Sequence, residues 1–396
     1  MSGTVTSTQT SGGIPSAAWQ RLAAVLERNY SSPDLEAARI LYSAVAAHRL
    51  TESVPTWPLL IAPPGSIKTD LLESLRGLPS VHFVDEITTK TFLSGKVDEK
   101  GRRRTGPASL LHRIGPDGIL VAADFSTYTA DPKTLQVILA QLRRIYDGNY
   151  SREFGTDEHL EERDWQGRLT VLAGAVPDVD RHHQLFQKLG ERFFRLRWPR
   201  AGGIEAGLRA MRHVPNLAVE LRNAAQALLR PILSLPAGGA APILSAPMEV
   251  RIASLSEFVA LSRSYVQRDR TTRDIEGVPV TEGNTRLPQQ LCQLARGAAL
   301  LDGRRSVEDC DFILACRAAF DSLPPARSAV LAPLIRGQNP YSVGLPPSTV
   351  QRALEDLQSV GVVCGSGVDG HAAKLSEEAA HLLDQAQAGD VLLSRK

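Results

Sequence analysis

Little in this chain is aromatic, and little of its charge is unbalanced. Aromatic residues make up 5% of the 396 positions, and 45 Lys and Arg nearly cancel 43 Asp and Glu to leave a net charge of +2. So even a balance excludes a bulk electrostatic field as the reason for binding a polyanion, and any nucleic-acid partner must be argued from local patches. Cys292, Cys310, Cys316 and Cys364 form no C-x-x-C pair and have no His at ligand spacing. That excludes a disulfide framework or a zinc site and predicts reduced core thiols. No uninterrupted apolar run is long enough to cross a bilayer, and the first residues lack a signal-peptide apolar core. The expectation is a cytoplasmic protein with no membrane partner. What is present is an ordinary soluble composition, 43% apolar and 22% charged, with length for two or three domains.

The chain is organised around Leu59-Leu60-Ile61-Ala62-Pro63-Pro64-Gly65-Ser66-Ile67-Lys68-Thr69-Asp70, an apolar run that stops at a Pro-Gly loop and restarts as a helix. The phosphate-loop pattern is G-x-x-x-x-G-K-[ST], in which backbone N–H groups cradle phosphates, Lys reaches the outer oxygens and Ser/Thr ligates Mg²⁺. Lys68 and Thr69 occupy the last two positions, Ala62 and Ile67 replace both glycines, and Gly65 and Ser66 keep the loop small. The segment reads either as a nucleotide loop formed by Pro64, Gly65, Ser66, Ile67, Lys68 and Thr69, or as a strand-turn-helix in which Lys68 begins a solvated face. A β-branched Ile67 also resists the φ > 0 that a glycine supplies.

Around this stretch, residues 1–16 are rich in Ser, Thr and Gly without periodicity and read as a disordered tail. Amphipathic helices are expected over 17–28 and 33–48, the second opened by Ser32-Pro33-Asp34. After the loop, Val81 to Val84 reads as a short strand ending in Asp85-Glu86, and Gly118 to Ala123 as an apolar strand ending in Asp124. In an open α/β sheet such carboxyl ends meet the ligand, so Asp124 points to the same edge as Lys68, where an aspartate commonly orders Mg²⁺. A helix over 132–146, a polar turn region through 162, a third strand over 168–174 and a helix over 182–189 complete a nucleotide-binding α/β pattern. The segment SGKVDEKGRRRTGP carries Lys96, Lys100, Arg102, Arg103 and Arg104. It reads as a solvated loop or as a basic loop contacting phosphate backbone.

From 201 onward strands become rare. Helices are expected over 204–212, 216–230 (stopped by Pro231), 255–268, 285–301 and 306–320, the last capped from Ser306. The final part reads as helix, turn, second helix over 346–360 and a short hairpin, the pattern of a winged helix-turn-helix. There the second helix enters the major groove, and Ser348, Thr349, Gln351 and Arg352 are the polar residues at its start. Such domains bind DNA or protein.

The phrases APPGSIKTDLLESLRGLP, VHFVDEITTKTFLSG, SLLHRIGPDGILVAADFST, LAQLRRIYDGNYSREFGT, LTVLAGAVPDVDRHHQLFQKLGERFF and TRLPQQLCQLARGAALLDGRRSVEDCDF resemble AAA+ ATPase-like proteins of phages and integrative elements. These are related in layout to the minichromosome maintenance helicases. The resemblance implies an α/β fold: an AAA+ P-loop parallel-sheet domain with a helical lid, followed by a C-terminal winged helix-turn-helix. The expected division is N-terminal helices over 17–55, the AAA+ core over 56–200, the lid over 201–322 and the winged helix over 323–396. Residue by residue it makes Lys68 and Thr69 the Walker A lysine and hydroxyl, and Asp124 the Walker B aspartate, with Thr69 and Asp124 holding Mg²⁺. Leu172 to Val176 becomes the sensor 1 strand, Arg192 an arginine finger supplied to a neighbouring subunit, and Arg286 the sensor 2 arginine. The cofactors implied are ATP and Mg²⁺. The partners implied are DNA and further copies of the chain in a ring or hexamer-like assembly, with Lys96–Arg104 facing the channel.

Two departures bear on turnover. Phe125 stands where a glutamate normally follows the Walker B aspartate, leaving Glu86 as the candidate base, and Ile67 stands in the loop. The expected function is therefore an oligomeric ATPase acting on DNA in phage or mobile-element replication. The alternative is a nucleotide-binding, weakly or non-hydrolysing winged-helix regulator or scaffold.

Overall fold

Strand β1 (Pro58–Ile61) is buried at every position, as an apolar run covered on both faces must be. In the computed structural model the described residues are 16–50, 54–93, 109–125, 131–156, 159–200, 202–211, 216–236, 238–269, 271–365, 373–389 and 391. β1 lies inside a five-stranded parallel sheet with β2 (Val81–Val84), β3 (Asp117–Ala122), β6 (Arg168–Ala175) and β7 (Phe194–Arg197), in the order β2-β3-β6-β1-β7. Leu60 pairs with Gly174 on one side and with Leu196 on the other. Period-two alternation sends Leu60, Ile119, Val121 and Leu172 to one face, and Leu59, Ile61, Leu120 and Val171 to the other.

The second face is covered by α4 (Leu110–Ile114), α5 (Pro132–Tyr146) and α6 (His183–Lys188), together with Trp57. The first is covered by α1 (Ala17–Asn29), α2 (Leu35–Ala46) and α3 (Lys68–Glu73), which share one core with α8 (Leu217–Leu233), α9 (Ala246–Arg263), α10 (Arg286–Leu301) and α11 (Asp309–Asp321). Gly297 lets α10 meet α2 closely: a Cβ there would lie 2.2 Å from the Ser43 carbonyl. The C-terminal elements join the same core. They are α12 (Pro325–Ile335), α13 (Pro347–Ser359), a two-stranded ribbon of β8 (Val363–Cys364) and β9 (Lys374–Leu375), and α14 (Glu377–Ala386).

Four local expectations are corrected. The polar region after α5 is an antiparallel hairpin, β4 (Asn149–Thr156) with β5 (His159–Gln166). Tyr150 and Trp165 bury at its base, where the Trp165 indole donates to the Gly115 carbonyl at 2.8 Å. α8 runs through Pro231 because burying Ile232 and Leu233 outweighs one lost hydrogen bond in its last turn. α9 begins at Ala246, capped by Ser245, and stops at Arg263. Helices α2 and α11 are capped by Asp34 and Glu308 rather than by Ser32 and Ser306, and Glu308 forms a reciprocal capping box with Asp311.

Candidate nucleotide site

The loop from β1 to α3 opens at the carboxyl edge of the sheet. Its one left-handed residue is Gly65 (φ 72°), whereas Ile67 lies in the right-handed region (φ −62°, ψ −5°) with its side chain in the core. The conflict expected at Ile67 therefore does not arise: the turn is made two residues earlier, and Ile67 anchors the loop. Ile67 at the N-cap of α3 makes no capping bond, and the Lys68 N–H meets the Ser66 hydroxyl only at a long 3.5 Å, so the first turn still offers N–H groups to an acceptor.

Lys68 is 9% exposed. Burial pushes its ammonium below the ordinary value near 10.5, and the charge of Asp124 pushes it back up. Gly174 of β6 admits this side chain. A Cβ there would lie 3.2 Å from the Lys68 Cδ and 2.5 Å from the Ala123 carbonyl oxygen. The small-residue run Ala173-Gly174-Ala175 was the sequence signal for that close approach. Lys68 and Asp124 thus belong to one electrostatic site, while Thr69 beside them is exposed.

Asp124 and Glu86, both exposed, each stand two residues beyond the register pair Val84–Ala122, past the carboxyl ends of the neighbouring parallel strands β3 and β2. Phe125 faces the other way. Its ring is buried with Phe193 at 6.1 Å, and its N–H donates to the Gly174 carbonyl at 2.6 Å. The position after Asp124 is thereby a core position, and Asp85 and Glu86 are the carboxylates that follow the neighbouring strand β2 at this edge.

Next to the loop lies a cavity of about 760 Å³ that sequence reasoning missed. Its walls are the α1–α2 turn (Tyr30, Pro33), Gly65 to Ile67, Trp198 and α7 (Ile204–Met211). Tyr30 donates its phenol to the Asp70 carboxylate of α3 at 2.8 Å, and burial followed by that bond raises its pKa. Loop, buried ammonium and cavity together can accept a phosphorylated ligand with a bulky apolar end. Thr69 and Asp124 are the residues that would hold Mg²⁺, an ion that draws most of its ligands from water and substrate phosphates. Among the described residues, no group of three or more His, Cys, Asp and Glu gathers as a metal site.

The two predicted arginines sit at the opposite edge. β7 is parallel to β1, with Phe194 beside Pro58, so Arg192 precedes the sheet at its amino end. Its guanidinium donates to the Gly190 carbonyl at 2.9 Å and to Asp147 at 3.3 Å, and lies over the Tyr146 ring. Arg286 donates to the Glu191 carbonyl at 3.0 Å, and its charge, after burial, depresses the Arg192 pKa. The structure brings Arg192 and Arg286 together and keeps both away from Lys68 of the same chain.

At the start of α13, Ser348 and Arg352 are exposed. Thr349 is half-buried, and Gln351 is held by the Tyr341 hydroxyl at 2.6 Å and by Glu355 at 3.1 Å. Lys96, Lys100, Arg102, Arg103 and Arg104 lie outside the described residues. Among the described residues, no helix is long and apolar enough to cross a membrane.

No family model matches the chain, and none of the curated proteins does. Among solved structures, the chain is similar to a full-length MCM homolog from Methanopyrus kandleri, at 16% identity and a TM-score of 0.45 over 77% of this chain. The chain spans 58% of that protein's length.

Proposed function

We propose that this chain is an AAA+ ATPase that binds ATP and Mg²⁺ at the carboxyl edge of its sheet and works on DNA as an oligomer. The observation that carries the reading is the buried Lys68 ammonium, coupled to Asp124 and threaded past Gly174, at the end of a loop whose Gly65, Ser66 and Ile67 line a cavity large enough for a nucleoside. A lysine is desolvated at such a loop when an anion is to meet it. Gly65, Ser66 and Lys68 would cradle the phosphates, and Thr69 and Asp124 would hold the metal. Because Arg192 and Arg286 lie at the far edge, completion of the site by either requires a second subunit. An arginine supplied in that way is worth several orders of magnitude in phosphoryl transfer.

The helix, turn, helix and ribbon from α12 to β9 support the winged-helix reading, with Ser348, Thr349, Gln351 and Arg352 offered to DNA. The sequence phrases support a role in replication of a phage or mobile element. The test is ATP hydrolysis with single- and double-stranded DNA against Lys68→Ala: activity above that control is expected, and its absence ends the motor reading. Phe125, buried where a general base would stand, favours a second reading, in which nucleotide is bound with little turnover and the C-terminal domain acts as a DNA-binding regulator. Tight binding of a fluorescent ATP analogue without hydrolysis, and DNA binding that survives Lys68→Ala, would select it.

A further inference from the structure

Helix α7 is unlike the other walls of the cavity. It contributes Ala206, Arg209 and Ala210 to the lining, yet none of its residues is buried. Of its large apolar side chains, Ile204 and Met211 face away, 84% and 74% exposed, and only Leu208, 39% exposed, is partly covered. Little apolar burial therefore fixes it to the molecule, in contrast to α8, which buries Leu221, Leu228 and Leu229. Among the described residues, the hydrogen bonds that α7 side chains make to other elements all come from Arg209. One guanidinium nitrogen, Nη1, donates to the Glu27 carbonyl and to the Tyr30 carbonyl, each at 2.8 Å. Glu205, one turn earlier, grips the other side of that guanidinium at 2.8 and 3.2 Å and fixes its direction. The helix is entered through Gly202 and Gly203, and Gly203 has φ 95°, a conformation that L side chains rarely adopt.

We infer that α7 is the movable wall of the nucleotide cavity and that Arg209 is the positioning residue that latches it. The inference rests on the nucleotide reading of the site. The latch lands on the α1–α2 turn, the same turn that Tyr30 fastens to α3 through Asp70. Arg209 thus ties α7 to a wall that is itself fixed to the phosphate loop. With the latch made, a bound ligand is enclosed between α7, Tyr30 and the loop. With it broken, α7 has no buried side chain to hold it, and the Gly202-Gly203 entry lets it swing away. Charge is not needed for this role, but two simultaneous donors in one plane are, and arginine supplies them where lysine offers a point donor.

The test is stopped-flow release of a fluorescent ATP analogue with Mg²⁺ from the full chain, comparing wild type, Arg209→Met, Arg209→Lys and Glu205→Gln. Release from Arg209→Met is expected to be at least tenfold faster. Arg209→Lys should recover part of the loss and Glu205→Gln should show a smaller one, with Tm little changed because no α7 residue is fully buried. Hydrogen exchange of the amides over 204–211 is expected to quicken in Arg209→Met without nucleotide. Release within twofold of wild type overturns the latch, even if exchange quickens, and so does an equal effect of Lys and Met. If neither wild type nor variant binds the analogue, the nucleotide reading falls and the inference falls with it. If wild type binds and the variants release at its rate, only the latch fails.

Discussion

Replacing Gly174 by alanine tests the site through a single methyl group. The added Cβ would stand 2.5 Å from the Ala123 carbonyl oxygen, 2.9 Å from the Leu72 Cδ1 and 3.2 Å from the Lys68 Cδ, where ordinary contact begins near 3.4 Å. The first of these is backbone, fixed by the β3–β6 pairing that sets Ala122 beside Ala173, so it has little freedom to retreat. Over-packing of this kind costs about 1–3 kcal/mol, or roughly 2–4 °C in Tm for each kcal/mol. The same displacement moves the chain entering Asp124 and the stem of Lys68, so Mg²⁺-ATP affinity is expected to fall by about tenfold for each 1.4 kcal/mol lost. Gly297→Ala is the matched control. Its Cβ would meet the Ser43 carbonyl at 2.2 Å between α10 and α2, so stability should fall with affinity kept. The assay pairs thermal unfolding with titration of a fluorescent ATP analogue. Wild-type affinity in Gly174→Ala, or an equal loss of affinity in the Gly297→Ala control, refutes the argument that Gly174 exists to admit Lys68.

Ile67→Gly restores the usual loop residue, yet it removes a buried side chain from a position that needs no positive φ. It is expected to cost about 2–5 kcal/mol and to leave ATP affinity no better, and a gain in affinity by titration contradicts this. Glu86→Gln is expected to slow hydrolysis severalfold or more while leaving analogue binding within about twofold; unchanged turnover in a coupled phosphate-release assay removes Glu86 as base. His183 is half-buried, donates to the Arg263 carbonyl at 3.1 Å, and is held well below its ordinary value of 6.5 by desolvation and then by the charges of Arg195 and Arg327. Burial also lowers His48, against the pull of Asp117. For both, the unfolded chain takes up protons that the fold refuses. Their stability is thus complete above about pH 6.5 and is lost as pH falls towards the folded values, by up to ~1.4 kcal/mol per pH unit for each histidine. Urea midpoints from pH 7.5 to 5.5 should fall and should fall less steeply in His183→Gln; a flat wild-type profile refutes it.

Strands with continuous apolar runs, β1, β3 and β6, were legible because burial on both faces leaves an uninterrupted signal. Lys68 and Asp124 were legible because each ends or follows such a run. The hairpin of β4 and β5 was hidden: Ser151, Arg152 and Glu153 separate Tyr150 from Phe154, and four charged residues in succession separate Leu160 from Trp165, so no apolar alternation shows. Pro231 misled because a helix stop is a local rule, while Ile232 and Leu233 obey the core. The cavity could not be read at all. Tyr30, Ser66, Trp198 and Arg209 are far apart in sequence and become neighbours only through tertiary packing.

The two departures from the phosphate-loop pattern weigh differently once their geometry is known. At Ile67 the residue differs but the backbone it needs does not, since Gly65 carries the left-handed turn and Ile67 gains a core contact. Binding has no reason to suffer there. At Phe125 the departure is chemical: the side chain belongs to the core with Phe193, on the face away from Lys68. A carboxylate placed at 125 would be buried at a cost of several kcal/mol, so the position cannot be returned to a glutamate by one substitution. On the proposed nucleotide reading, a base that activates water beside Asp124 would have to come from another element, and the exposed Glu86 just past the end of β2 is the candidate. Such a base, exposed past the end of an edge strand, would be less firmly held than one on β3 itself. In our reading of the site, the nucleotide is therefore held by a rigid loop, and its hydrolysis waits on the placement of Glu86 and of arginines from a second subunit.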